Sequence, residues 1–292
     1  MKQSSHSAGK IVKALVVTLS GVATLGLLLW VVMFVVLRPK NVYREEIYSG
    51  VFLTVEDIPP SYGEGKVMIA EIHLSKPGVE LFFSPFFPRA TGRRHFTLMP
   101  ADYLRWKHDL DIMINSTRYY PAEWWRSYPL QKVDSLETLV WEGNVSHIHR
   151  LSYMLGWDKD LNFSYEFSKP PSEEFLRSIH WGIGVQSISI HEGQILEQAM
   201  DQRRLREART FLAVDPIRNV IWFLVAEHIS EFGMNSIAQQ QGAFIGGQLD
   251  CQDASNMIVG NGARGVGSYR GIRGRRPLAA VIGVRADPLP ND

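Results

Sequence analysis

The chain has 292 residues and a mass of 33.1 kDa, room for one large domain or two small ones. Hydrophobic residues make up 45% and charged residues 21%, a balance that excludes a wholly disordered chain and a multi-span transporter. Five of the 31 lysines and arginines fall within residues 1–40, where no Asp or Glu occurs. The other 26 face 30 acids, so the rest of the chain is mildly acidic and a poor general binder of nucleic acid.

The first element is the apolar run Ala14–Leu37, which holds 24 residues and no charge. As a helix it rises roughly 36 Å, enough to cross a hydrocarbon core of about 30 Å. A buried core helix and a cleaved signal peptide compete with that reading. The run continues well past Val22-Ala23, which favours an uncleaved anchor. Residues 1–13 then form a short tail, 14–37 a single transmembrane helix in a lipid bilayer, and 38–65 a linker broken by Pro59-Pro60 and two glycines. Charges flank the apolar run almost evenly. The orientation adopted leaves the domain outside the cytoplasm, periplasmic or luminal.

The domain itself is expected over 66–285, with a tail at 286–292. Strands are predicted at Val67–Leu74, Val79–Phe83 and Asp111–Ile114, and a short helix at Pro100–Lys107. Residues 121–180 pattern weakly, with strands near 138–141 and 148–154 and a helical turn or two at 172–178 capped by Ser172. Strands follow at 184–190, 210–214, 220–226, 243–249, 257–259 and 279–284, with a short helix at 235–241. The run VIWFLVA at 220–226 is apolar throughout, which implies cover on both faces. The fold class read from this order is α/β or α+β, a mixed β-sheet flanked by helices.

Cys251 is the single cysteine, so no intrachain disulfide and no multi-cysteine zinc site can form. As a nucleophile it needs an adjacent base, which the sequence does not identify. His147 and His149 share a face if they lie on a strand, which permits a metal pair; a surface hairpin is the plainer reading. Two acids end predicted strands, Glu227 and Asp250. If those strands are neighbours, both carboxylates face one crevice, an arrangement suited to glycoside hydrolysis. The arginine- and glycine-rich stretch from Gly262 to Pro277 reads three ways: a clamp for an anionic substrate, a solvated loop, or an RNA-binding segment. Trp124, Trp125, Trp141, Trp157 and Trp181 suit core packing or stacking on sugar faces.

The order of these features resembles the phosphodiester glycosidase domain family, the catalytic module of the lysosomal-targeting uncovering enzyme. The run IMINSTRYY keeps Asn115 and the aromatic Tyr119 and Tyr120 of the family's Asn-Gly-Gly-Phe-Phe motif. Arg209-Thr210 stands in its Arg-Thr strand, Glu227 in place of an Asp, and Gly233-Met234 in its Gly-Met region. QLDCQDAS keeps Leu249, Asp250 and Ser255 of Asn-Leu-Asp-Gly-Gly-Gly-Ser-Ser, with Cys251, Gln252 and Asp253 where that motif has three glycines. Arg276-Pro277 matches a closing Arg-Pro.

The resemblance implies a membrane-anchored hydrolase acting on sugar-1-phosphodiester or related glycan linkages. Asp250 is then the base or nucleophile and Glu227 the second carboxylate. Arg209 and Arg276 hold the anion, Asn115 binds a sugar hydroxyl, and Asp253 and Ser255 line the site. It implies a glycan or sugar-phosphate partner and no cofactor, metal or nucleic acid. The altered glycine loop leaves a second reading, an inactive glycan-binding or scaffolding protein on the same fold.

Overall fold

The computed structural model describes residues 43–86, 96–120, 128–150, 152–200, 205–260 and 276–290. The predicted transmembrane segment 14–37, Trp124, Trp125 and the arginines at 264–275 lie outside the described residues. Among the described residues no helix is long and apolar enough to cross a membrane.

The largest sheet has eight strands. Their order is Tyr43–Tyr48, Val51–Asp57, Gly63–His73, Val220–Ile229, Glu207–Asp215, Ile245–Gln248, Ser187–His191 and Gln194–Ile195. Residues 43–65, expected to be linker, instead supply the first two strands and the start of the third. Val51, Leu53 and Val55 alternate inward and are 3% exposed or less, a period of two in a stretch where breakers dominate the reading.

Every strand pairing among the described residues is antiparallel, so the expected mixed sheet is corrected to antiparallel sheets. The strand–helix–strand unit explains why the sequence suggested otherwise. Val220–Ile229 and Ile245–Gln248 do run in the same direction. They are not neighbours, because Glu207–Asp215 lies between them and pairs antiparallel with both.

Val220–Ile229 packs on both faces, as its unbroken apolar run requires. Ile221, Phe223 and Val225 face the main core with Leu155, Trp157 and Ile183 of a five-stranded sheet and Ile112, Ile114 and Ile282 of a four-stranded one. Trp222, Leu224 and Ala226 face the other way, against Met234, Ile237 and Ala238 of the helix Glu231–Gln240. That helix begins on Ser230, whose hydroxyl accepts from Gly233 N at 3.0 Å. The predicted strand 184–190 is two strands, Trp181–Val185 and Ser187–His191, in different sheets. Between them Gln186 crosses from one layer to the other. Helices are few among the described residues, so the sheets cover one another instead of being flanked on both faces.

Trp157 and Trp222 are 1% exposed, and Trp141 and Trp181 pack against the main core. The buried indoles are packing residues, whereas Trp141 and Trp181 keep part of their surface exposed and line a surface pocket.

Candidate active site

The strand Ile112–Asn115 lies in the four-stranded sheet between Met257–Val259 and Val281–Arg285. Its last residue joins three parts of the chain. Asn115 Oδ1 accepts from Thr210 Oγ1 at 2.7 Å and from Asn256 N at 2.8 Å, and its Nδ2 donates to the Asp250 carbonyl at 2.7 Å. Asn115 is 1% exposed. Its amide is therefore largely spent on tying the Asp250 turn to both sheets, where the sequence reading gave it a sugar hydroxyl.

Asp250 sits just past the end of Ile245–Gln248 and is 6% exposed. Its N–H donates to the Ser116 carbonyl at 3.1 Å, and its Oδ1 accepts from Cys251 N at 3.0 Å. Among the described residues its Oδ2 is buried without a hydrogen-bond partner, and the facing Arg276 Nη1 stands 4.0 Å away. Burial pushes the Asp250 carboxyl up to about 7; Arg276 opposes this, Glu137 adds to it, and the Cys251 amide and Arg118 oppose it. A carboxyl poised there changes protonation state near neutral pH, the property a general acid or base needs.

Arg276 is itself buried. Its Nε donates to Tyr119 Oη at 2.9 Å, its guanidinium lies 4.0 Å over the Tyr119 ring, and its N–H donates to the Asp253 carbonyl at 3.0 Å. Tyr119 Oη in turn donates to the Pro277 carbonyl. Arg276 Nη2 has no partner among the described residues. Ser116 Oγ and Ser255 Oγ are likewise buried and unpartnered. The antiparallel register that pairs Met257 with Ile114 carries on to set Ser255 opposite Ser116. Four buried polar atoms without partners, on neighbouring segments, are costly unless water or a ligand completes them.

Sequence reasoning missed a fifth group. Glu137 is 3% exposed and accepts from Thr117 Oγ1 at 2.5 Å, Arg118 N at 2.6 Å and Arg118 Nε at 2.5 Å. It influences Asp250, so it is the second carboxylate of this neighbourhood. Nothing in the spacing of SLET marks Glu137; Ser116 follows Asn115 directly and Arg118 stands three residues after it, so both could have been weighed with it.

The structure does not bring Glu227 or Arg209 into the group. Glu227 Oε2 accepts from Lys66 N at 2.9 Å on the neighbouring strand. It sits over Gly65, whose φ of +89° and 2.3 Å clearance to that oxygen leave no room for a Cβ. Arg209 is 2% exposed and engaged on all sides: by the Ile229 and Leu205 carbonyls at 3.1 and 3.4 Å, Gln248 Oε1 at 2.5 Å and Glu207 at 3.0 Å. Arg209 and Gln248 lie on the helix-covered side of the sheet, because strand alternation puts Thr210 and Leu249 on the other.

Cys251 Sγ donates to the Leu249 carbonyl at 3.3 Å, and burial pushes its thiol up to about 12. It is a thiol, not a thiolate, near neutral pH, which argues against the nucleophile reading. His147 and His149 lie outside any strand, with ring centroids 6.2 Å apart. Among the described residues no group of three or more His, Cys, Asp or Glu could hold a metal ion.

No protein-family profile matches the sequence, and no curated protein matches it. Solved structures do. The chain superposes on a hypothetical protein from Synechocystis with a TM-score of 0.61 and 11% identity, over 81% of this chain and 62% of that one. It thus spans about six tenths of that protein. The catalytic domain of zebrafish N-acetylglucosamine-1-phosphodiester alpha-N-acetylglucosaminidase, auto-inhibited by its pro-peptide, gives 0.55 and 12%, over 84% and 82% of the two chains. A Burkholderia pseudomallei protein described as exported gives 0.54 and 9%, over 76% and 74%. At these identities the likeness is one of fold.

Proposed function

We propose that this chain is a glycoside hydrolase acting on sugar-1-phosphodiester or related glycan linkages, held at a bilayer by residues 14–37 with its domain outside the cytoplasm. One observation carries the catalytic part. A buried carboxyl poised near neutrality, Asp250, faces a buried arginine across 4.0 Å, and each keeps a polar atom unpartnered. The zebrafish glycosidase domain of the same fold supports the choice of reaction class.

In this reading ionised Asp250 takes a proton from water as the water oxygen bonds to the anomeric carbon. The bond from that carbon to the phosphate oxygen breaks, and its electron pair leaves with the phosphate. The sugar passes through an oxocarbenium-like state. A phosphate departs without a proton, so a single working carboxylate suffices, and Arg276 stabilises the charge that develops on the leaving oxygens.

The test is hydrolysis of a synthetic methyl diester of a sugar 1-phosphate by the purified chain and its Asp250→Asn form. Phosphate monoester released by the first and not the second is the expected result. Equal release by both removes Asp250 from the chemistry. Retention of the full chain in membranes washed at alkaline pH, and its loss when residues 14–37 are deleted, checks the anchor. A second reading, glycan binding without turnover, is favoured by the substitution of three glycines of the family motif by Cys251, Gln252 and Asp253 beside a carboxyl only 6% exposed. Saturable binding with no product after days of incubation is its signature.

A further inference from the structure

The anion clamp read from sequence paired Arg276 with Arg209, and Arg209 is spent elsewhere. Another guanidinium stands at the site. Arg118 lies between Ser116, whose carbonyl receives the Asp250 N–H at 3.1 Å, and Tyr119, whose ring lies 4.0 Å under the Arg276 guanidinium, and its charge favours the ionised form of Asp250. Its ion pair with Glu137 uses Nε. Its side chain is 32% exposed, whereas Glu137 beneath it is 4% exposed at the side chain. Glu137 accordingly fixes the stem of Arg118 from below, through the backbone N–H and Nε, while the outer fork is within reach of solvent. Planar guanidinium forks match phosphate oxygens two at a time.

We infer that Arg118 is the second arm of an anion clamp, and that Arg118 and Arg276 together bind the phosphate group of the substrate beside Asp250. This rests on the glycosidase reading for the identity of the substrate, not for the binding of phosphate. Glu137 is the positioning residue of the clamp. Counting the charges that face Asp250 (Arg276, Arg118 and Glu137), the site carries one net positive charge when Asp250 is protonated and none when it is ionised. The further neighbours Glu207 and Arg209, which act on Cys251, cancel one another. A phosphodiester, whose own single charge does not change in this range, therefore binds with uptake of a proton and more weakly as pH rises through neutrality.

The probe is dimethyl phosphate, a monoanion at both pH values, titrated calorimetrically into the full chain at pH 6 and pH 8. Expected are tighter binding at pH 6, and a loss of at least tenfold in Arg118→Gln at pH 6. Because that change strands the Glu137 charge, the double form Arg118→Gln/Glu137→Gln is measured too. Wild-type melting behaviour with the same tenfold loss supports the clamp; wild-type affinity in the folded double form overturns it. Arg118→Lys keeps the charge but loses the fork, and an intermediate affinity is expected.

Turnover separates this inference from the reading beneath it. If the Arg118 forms lose activity on a sugar phosphodiester but keep it on an uncharged aryl glycoside, the clamp stands. Equal loss on both substrates gives Arg118 a merely structural role and overturns the clamp while leaving the glycosidase. Dimethyl phosphate binding in a chain that cleaves neither substrate keeps the clamp and removes the glycosidase.

Discussion

Arg209 and Arg276 are both nearly buried, both lie beside a carboxylate, and both belong to segments that carry the family likeness. They differ in what is left over. Arg209 has acceptors from four residues, among them Glu207 at 3.0 Å. Arg276 has a ring beneath it, one hydroxyl on Nε, a carboxylate at 4.0 Å and an Nη2 with no partner among the described residues. A fully engaged buried charge holds the fold together, whereas a partly engaged one is available to a ligand. Residue type and burial do not distinguish them; satisfaction does.

The sharpest way to break the comparison is on the Arg276 side. Asp250→Asn should lower turnover roughly 10²–10⁴-fold, the usual worth of a general base, while substrate affinity is kept or tightened because the neutral amide imitates the protonated form. Single-turnover kinetics on a sugar phosphodiester measures it. A drop that sits wholly in affinity moves Asp250 from chemistry to binding.

On the Arg209 side the large effect should be on stability. Arg209→Met leaves Glu207 without its cation and several carbonyls and amides without a donor. Breaking a buried pair in this way costs on the order of 3–5 kcal/mol. Urea unfolding of the domain should show a midpoint shift of that size, and Arg276→Gln a smaller one. Equal losses would erase the distinction between the two arginines.

The next effect sharpens the reading of Asp250 and has a definite sign. Its folded carboxyl titrates at about 7, above the ordinary 3.8, so the native state holds the extra proton between those values. The stability that this supplies is present at low pH and is lost as pH rises through 7. Asp250→Asn imitates the protonated form at every pH. At pH 8 it should stabilise the domain, by as much as about 4 kcal/mol for a shift of this size; near pH 4 it should change little. A mutant no more stable than the parent at pH 8 would mean that the carboxyl is not buried as described.

The sequence carried the spine of this fold because its signals are local. The apolar run at 220–226, the Ser172 cap and the strand at 257–259 each depend on residues adjacent in the chain. Pairing direction was not legible. A strand pair separated by one further strand has the same local pattern as a neighbouring parallel pair, and the helix Glu231–Gln240 looks like a crossover in both. The strands Tyr43–Tyr48, at the sheet's edge, and Val51–Asp57, next to it, were hidden by the breakers beside them. In the site, Asp250 and Arg276 were visible through the likeness of their motifs. Glu137 and Arg118 were not, because 19 residues separate them and their bond depends on how two loops meet. Glu227 looked catalytic for the opposite reason. It stands where the family motif has an acid, yet its carboxylate is turned toward the neighbouring strand.

That orientation gives the smallest expected effect, and one that tests the boundary of the site. Glu227 Oε2 accepts one backbone hydrogen bond, from Lys66 N, at a point where the register between the two strands slips. A glutamine in its place keeps a carbonyl oxygen to accept that bond and removes only a charge that is partly exposed. Glu227→Gln should therefore cost no more than about 1 kcal/mol in urea unfolding, the usual net worth of such a bond. Its turnover of a sugar phosphodiester should stay within a factor of two of the parent. A hundredfold fall in turnover at unchanged stability would return Glu227 to the reaction, and would require the start of the inner strand Gly63–His73 to move toward Asp250 during catalysis.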